Sequence, residues 1–295
     1  MAPHKPILLL SVIELIGQGK IKENQIPLSP ELIASFLKYW SQLGTESYRP
    51  DIALPFFHMK SGKFWHLKAK PGFEAINSSR IRLRTIAALH DAIQYAFLDD
   101  ELFSLLQTPL TRSALANVLA IRWFPHCKSD IERMLEINSF QALQDQLQKE
   151  GGVVYGPEDL NNEEELVVRN TAFRRIVISV YEHRCAFCSL QIIDSFGQGV
   201  VDGAHIMPFS KFRDDRIRNG LSLCKNHHWA FDRGWFSIDD GYTILVSKNL
   251  REKSPNAKPT SGFHRERILL PAKEIYAPSP ESLRWHRENV FDSSG

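Results

Sequence analysis

Three polar residues at fixed spacing could together cut a phosphate ester. His205 closes a short apolar run, Asn219 follows fourteen residues later, and His228 nine after that. Hydrolysis of a phosphodiester needs a base to activate water and a cation to stabilise charge on the phosphate and the leaving oxygen. A neutral imidazole suits the first task near pH 7, so His205 is the candidate base. His228 is the candidate metal ligand. Asn219 is placed to bond the backbone of its loop and hold the histidine strand against the next helix. Asn219-Gly220 is also a turn signal, and the two readings are compatible.

A second set lies beside the first. Cys185-x-x-Cys188 and Cys224-x-x-His227 supply three thiols and one imidazole, the donor set of a closed tetrahedral zinc site. The alternative is a group of buried thiols with no ion. His227 and His228 are neighbours on a helix and point about 100° apart, so they serve different ends. The fourth cysteine, Cys127, stands apart. This usage is no disulfide framework and fits a reducing compartment.

The elements that must position these residues are legible from periodicity. Val168 to His183 has a helical pattern, with Phe173, Ile176, Val177 and Val180 apolar and Arg169, Arg174 and Arg175 along one edge. Val200 and Val201 begin a strand that ends at His205. Pro208 opens a loop carrying Lys211, Arg213, Arg216 and Arg218. Phe236–Ile238 and Tyr242–Val246 read as strands, and Ser279–Phe291 as a helix. Upstream, Pro6 opens a helix that Gly17 and Gly19 end, and Ser29-Pro30-Glu31 starts another, with Leu32, Ile33, Phe36, Leu37 and Trp40 on its apolar face. The runs Ile52–Phe57 and Phe64–Leu67 flank Lys60-Ser61-Gly62-Lys63 and predict a β-hairpin with a basic turn. Thr85–Leu98 and Thr111–Trp123 predict helices, the second ended at Phe124-Pro125.

A chain of 295 residues with 43% hydrophobic residues suggests two domains. The glycines and acids between them divide it into an N-terminal domain over 1–150, a linker over 151–162 and a C-terminal domain over 163–295. The fold class is α+β: a helical N-terminal domain with a β-hairpin, winged-helix-like, followed by a small mixed domain. Net charge is only +2, but residues 49–84 hold eight Lys/Arg against two acids, either a solvated surface or a face turned to phosphates. No apolar run spans a bilayer and no cleavage site follows Ile7–Leu10, so a soluble, cytoplasmic protein is expected.

In the frame Ala-His-Ile-x-Pro … Asn-Gly-Leu-x-Leu-Cys-x-x-His-His-x-x-Phe-Asp-x-Gly, the stretch from Arg184 to Ile238 resembles the HNH endonucleases with their ββα-metal fold. The resemblance implies a one-metal mechanism. His205 deprotonates water, and His228 helps hold a divalent cation such as Mg or Mn. Many such sequences carry Asp or His just before the base. That residue is Ala204 in this chain, and Asp202 is the nearest carboxylate. Asp202 is three positions from His205, so on a strand it faces the opposite way. It is carried as the second ligand of the catalytic metal. Some HNH proteins hold a structural zinc at the corresponding cysteine pairs, with His227 taking the place of a fourth cysteine here.

Residues 2–140 resemble the sulfur-binding domain of phosphorothioate-dependent restriction endonucleases of the McrA type. The resemblance rests on Pro3-His4-Lys5-Pro6-Ile7-Leu8-Leu9-Leu10, Phe36, Tyr39-Trp40, Leu54-Pro55-Phe56-Phe57, Gly62-x-Phe64-Trp65-x-Leu67 and Phe124-Pro125. It implies an apolar pocket for sulfur at Phe124-Pro125, a basic contact from Arg80, and phosphate or base contacts from Arg49, Arg82 and Lys128. The partner it implies is double-stranded, phosphorothioate-modified DNA, and pairing of two copies as a homodimer would give a double-strand break. Two alternatives remain at this level: an HNH nuclease reading methylated or unmodified DNA, and a non-catalytic DNA-binding protein with a zinc-stabilised HNH fold.

Overall fold

The computed structural model describes residues 2–77, 83–159, 162–195, 198–253 and 257–292. The chain forms two units, one of Met1–Leu143 with Asn161–Arg169, the other of Gln144–Leu160 with Asn170–Gly295. In chain order the first holds helices α1 (His4–Gly17), α2 (Pro30–Leu43) and α3 (Ala53–His58), strand β1 (Trp65–Ala69), and helix α4 (Ile86–Ala92) running directly into strand β2 (Ile93–Leu98). Helices α5 (Asp100–Gln107), α6 (Pro109–Trp123) and α7 (Lys128–Met134) follow. Helices α8 (Ser139–Glu150) and α9 (Glu163–Val180) each have residues in both units.

Helix α1 is apolar nearly all round. Ile7, Leu8, Leu10, Val12, Ile13, Leu15 and Ile16 are buried, and a helix of that kind belongs at the centre. It packs against α2, α3, α5 and α6. Its one buried acid, Glu14, accepts hydrogen bonds from Ser35 Oγ and Lys38 Nζ, so the carboxylate is not stranded. Helix α2 starts as its residues dictate: Ser29 Oγ accepts from the Leu32 amide, and Pro30 fills the first turn.

The expected hairpin at residues 52–67 is absent. Ala53–His58 is a helix, begun where the Asp51 carboxylate accepts from the Leu54 amide. Pro55 sits in its first turn, where a missing N–H costs nothing; in a strand it would remove a ladder bond. Strand β1 instead pairs antiparallel with β2, His66 facing Phe97 and Lys68 facing Tyr95. The expected helix over Thr85–Leu98 stops at Ala92 for the same reason: Ile93–Leu98 is rich in β-branched and aromatic residues, and β1 needs a partner. The acidic run at 163–165 also has a structural role. Glu163 accepts from the amides of Ile86 and Ala87 at the start of α4, and Glu164, 5% exposed, accepts from the Ile52 amide.

The second unit continues with strand β3 (Val201–His205), helix α10 (Phe209–Phe212), strand β4 (Gly220–Cys224), helix α11 (Lys225–Asp232), strands β5 (Phe236–Ile238) and β6 (Ile244–Val246), and helix α12 (Pro280–Asn289). β3 and β4 pair antiparallel from Val201↔Cys224 to His205↔Gly220, and α11 follows β4 without a break. The core gathers Phe173 and Val177 of α9, Val201 and Ala204 of β3, Leu221 and Leu223 of β4, and Ala230 and Phe231 of α11. Helix α9 approaches β3 so closely that a Cβ on Gly203 would lie 2.7 Å from the Arg174 Cα, so only glycine fits there. Among the described residues no helix is long and apolar enough to cross a membrane.

Candidate active site and cysteine cluster

Alternation along β3 sorts its residues between two faces. Gly203 and His205 turn toward α9, and Asp202 turns toward α11. His205 is held on two sides. Its ring lies parallel to Phe173, with centroids 3.9 Å apart and planes 7° apart, and its Nε2 is 2.8 Å from Asp215 Oδ1. Both partners are largely buried, with side-chain exposures of 13% for the histidine and 3% for the aspartate.

Asn219, 1% exposed, ties the loop between the strands into one piece. Its Nδ2 donates to the carbonyls of Met207 and Asp214, each at 3.0 Å, and its Oδ1 accepts from the Met207 amide at 2.9 Å. Asp214 in turn receives Arg216 through Nε and Nη2 and accepts from the Arg216 amide. A neighbouring segment runs alongside this loop: Tyr155 donates to the Arg213 carbonyl, Asp215 to Val153, and Ile217 to Gly151.

On the other face, His228 Nδ1 lies 3.5 Å from Asp202 Oδ2, and its Nε2 lies 3.7 Å from Asp232 Oδ2. Lys225 Nζ donates to both oxygens of Asp202. The pair is about one-fifth exposed, 22% for His228 and 23% for Asp202. One carboxylate and one imidazole, open to water and already matched to a positive charge, fit a hard divalent cation that keeps several water ligands.

The cysteine cluster is tighter. The ligand atoms of Cys185, Cys188, Cys224 and His227 all lie within 4.8 Å of one another, and among the described residues no other such cluster of three or more His, Cys, Asp or Glu ligand atoms is found. His227 Nδ1 is 3.1 Å from Cys224 Sγ and 3.8 Å from Cys185 Sγ, and its ring stacks on Phe187. The cluster shares its protons unevenly. Hydrogen bonds from Cys185 and Cys188 hold the Cys224 thiol far below its ordinary range, while the same network pushes Cys185 up. Burial pulls His227 down, but Cys188 and Cys224 more than reverse this and leave it at about 9. A set of this charge and compactness fits zinc, whose binding would displace those protons. His227 and His228 thus face separate sites.

The candidates in the first unit are dispersed. Arg49 is exposed in the segment between α2 and α3, and its carbonyl accepts from His4 Nε2. Phe124 caps the end of α6 and is 8% exposed, while Pro125 is on the surface. Lys128 opens α7. Arg80 and Arg82 lie outside the described residues. Sequence reasoning missed Asp215, Asp232 and the stacking role of Phe173. Two adjacent acids, Asp214-Asp215, among four cations were the signal in the loop.

Residues 185–239 match the family model of the HNH endonucleases. No curated protein matches the chain. Among solved structures, one described as a modification dependent TagI restriction endonuclease is similar over 41% of this chain at 23% identity, with a TM-score of 0.31. The chain spans 38% of that protein's length. The matched residues take in His205, Asn219, His228 and the four members of the cysteine cluster. Residues 185–239 of the second unit therefore carry an HNH endonuclease domain.

Proposed function

We propose that the protein is a modification-dependent restriction endonuclease whose first unit reads phosphorothioated double-stranded DNA and whose second unit hydrolyses a phosphodiester bond. One observation carries the catalytic part: a single β3–β4–α11 unit presents a buried, doubly held histidine on one face and an imidazole–carboxylate pair on the other. His205 takes the proton of the attacking water. Asn219 keeps the loop on which that histidine depends closed. Asp202 and His228 would hold Mg or Mn, which when bound supplies positive charge to the phosphate and the 3′ oxygen that leaves. Cys185, Cys188, Cys224 and His227 would hold zinc and fix the start of α11, separating the structural from the catalytic ion.

The reading of sulfur rests on the resemblance of residues 2–140, and the chemistry is reasonable. Sulfur is larger and less strongly hydrated than the oxygen it replaces, so an apolar contact such as Pro125 favours it while cations hold the neighbouring phosphates. Arg80 is the candidate for the basic contact beside the sulfur and Arg49, Arg82 and Lys128 for contacts to phosphate or base, and two copies would give a cut in each strand. The test is cleavage of matched plasmids with and without phosphorothioates, in Mg and in Mn, by wild type and His205→Ala. Cutting of the modified plasmid only, lost in the variant, is expected. Equal cutting of both plasmids removes the sulfur assignment, and an active His205→Ala removes the catalytic one.

A further inference from the structure

We propose that Asp215 is the positioning residue of the catalytic histidine, fixing the proton on Nε2 so that Nδ1 is the nitrogen that takes the proton from water. The inference rests on the reading of His205 as the base. A carboxylate only accepts, so the 2.8 Å contact is a hydrogen bond donated by Nε2–H, and a neutral ring then has its lone pair on Nδ1. Two restraints act together. The parallel Phe173 ring, 3.9 Å away, sets the plane of the imidazole, and Asp215 sets its rotation within that plane.

The carboxylate is itself placed with little freedom. Its side chain is 3% exposed. Its backbone donates to the Val153 carbonyl, Asn219 Nδ2 holds the preceding carbonyl of Asp214, and Ile217 is tied to Gly151. These bonds lie beyond the β3–β4 ladder, whose last pair is His205↔Gly220. The chemistry is that of a buried Asp–His pair. As the O–H bond of water breaks, its proton goes to Nδ1, the oxygen attacks phosphorus, and the P–O3′ bond breaks with its electron pair on the departing oxygen. The imidazolium formed then sits against a buried carboxylate, a charge-assisted bond stronger than the neutral one it replaces. Asp215 thus adds charge to the restraint that Phe173 supplies by shape.

The experiment uses the full chain with histidine labelled in nitrogen-15. In wild type, long-range proton–nitrogen correlation of His205 should show the Nε2–H tautomer. Asp215→Asn, close in shape, and Asp215→Ala should lower kcat by about 10- to 1000-fold at saturating Mn, with the Kd for modified DNA unchanged. Asp215→Glu should restore part of kcat. A wild-type spectrum showing the Nδ1–H tautomer overturns the proposal, and so does Asp215→Ala with undiminished kcat; either result leaves the base assignment standing if His205→Ala is inactive. If His205→Ala is active, the base assignment itself is wrong.

Discussion

On the proposed reading, Gly152→Ala should abolish cleavage from outside the His205 site. Gly152 has φ +90°, and a Cβ built on it would lie 2.2 Å from the Asp215 carbonyl oxygen, 2.5 Å from the Arg216 Cα and 2.9 Å from the Ile217 nitrogen. All three are backbone atoms, so no side chain can swing aside. Gly151 has a similar φ of +79°, with nothing within 4 Å of its added Cβ. Gly151→Ala therefore carries only backbone strain, about 1–3 kcal/mol, whereas Gly152→Ala adds an overpacking cost of about another 1–3 kcal/mol. A domain is stable by only about 5–15 kcal/mol, so relief should come locally, by parting of residues 151–155 from the loop at 213–217. That movement takes Asp215 from His205. Urea unfolding of both variants, amide exchange at Asp215 and kcat on modified DNA read the three consequences. The expected order is wild type, Gly151→Ala, Gly152→Ala in stability, with a large fall in kcat for the last alone. Equal stability costs for the two variants would show that the close approach is not what constrains the loop, and an unchanged kcat would show that the loop does not position Asp215.

Three further outcomes are expected. Cys224→Ser should lose about one bound zinc per chain and unfold the second unit at much lower urea, since zinc binding at such sites is worth about 10 kcal/mol or more; metal analysis showing no zinc in wild type refutes the assignment. Lys225→Met should lower the Mn concentration for half-maximal cleavage, because it removes the ammonium that occupies both oxygens of Asp202, and a rise instead would mean that Asp202 is not a ligand. His286 is 2% exposed, stacked on Phe231 and bonded to Ser237 Oγ and the Phe231 carbonyl. Burial lowers its pKa from 6.5 to about 4, so the folded state binds its proton less readily than the unfolded one. Its contribution is whole above pH 6.5 and is lost as pH falls through 4, ~3 kcal/mol in all. A urea midpoint in His286→Gln that falls with acid as steeply as in wild type would exclude this histidine as the cause.

What could be read without coordinates was what the chain keeps local. His205, Asn219 and His228 lie on one strand–loop–strand–helix run, so their spacing already carried the geometry, and the different neighbours of His227 and His228 followed from the turn of a helix. The cysteine pairs were legible for the same reason. Strand β1 was misjudged because its partner is β2, about 30 residues on, and the nearer apolar run contains Pro55. The run at 163–165 has the composition of a linker, yet two of its carboxylates close backbone donors near residues 52 and 86. Composition registers a charge; it does not register the donor that the charge answers. The same limit hid Asp215, whose value lies in a contact with a residue ten positions away.

The two faces of β3 bear on how the proposed site, with Ala204 before His205, would hold its cation. Adjacent strand residues point apart, so a ligand immediately before the base would stand on the α11 side. Asp202 stands on that same side one pleat earlier, where it meets His228 rather than His205. The shift by two residues keeps the face and moves the carboxylate by about 7 Å along the strand. A cation held by Asp202 and His228 would then sit further from the end of β3 than one held at position 204. Ala204→Asp tests this directly. It adds a second carboxylate on the α11 face within the hydrophobic core, where Ala204 is 1% exposed. An acid there is stable only if a cation meets it. The variant should therefore be destabilised without metal and recover stability as Mn is added, more steeply than wild type. A variant whose urea midpoint ignores Mn would show that position 204 is out of reach of the cation, and that Asp202 alone sets where it binds.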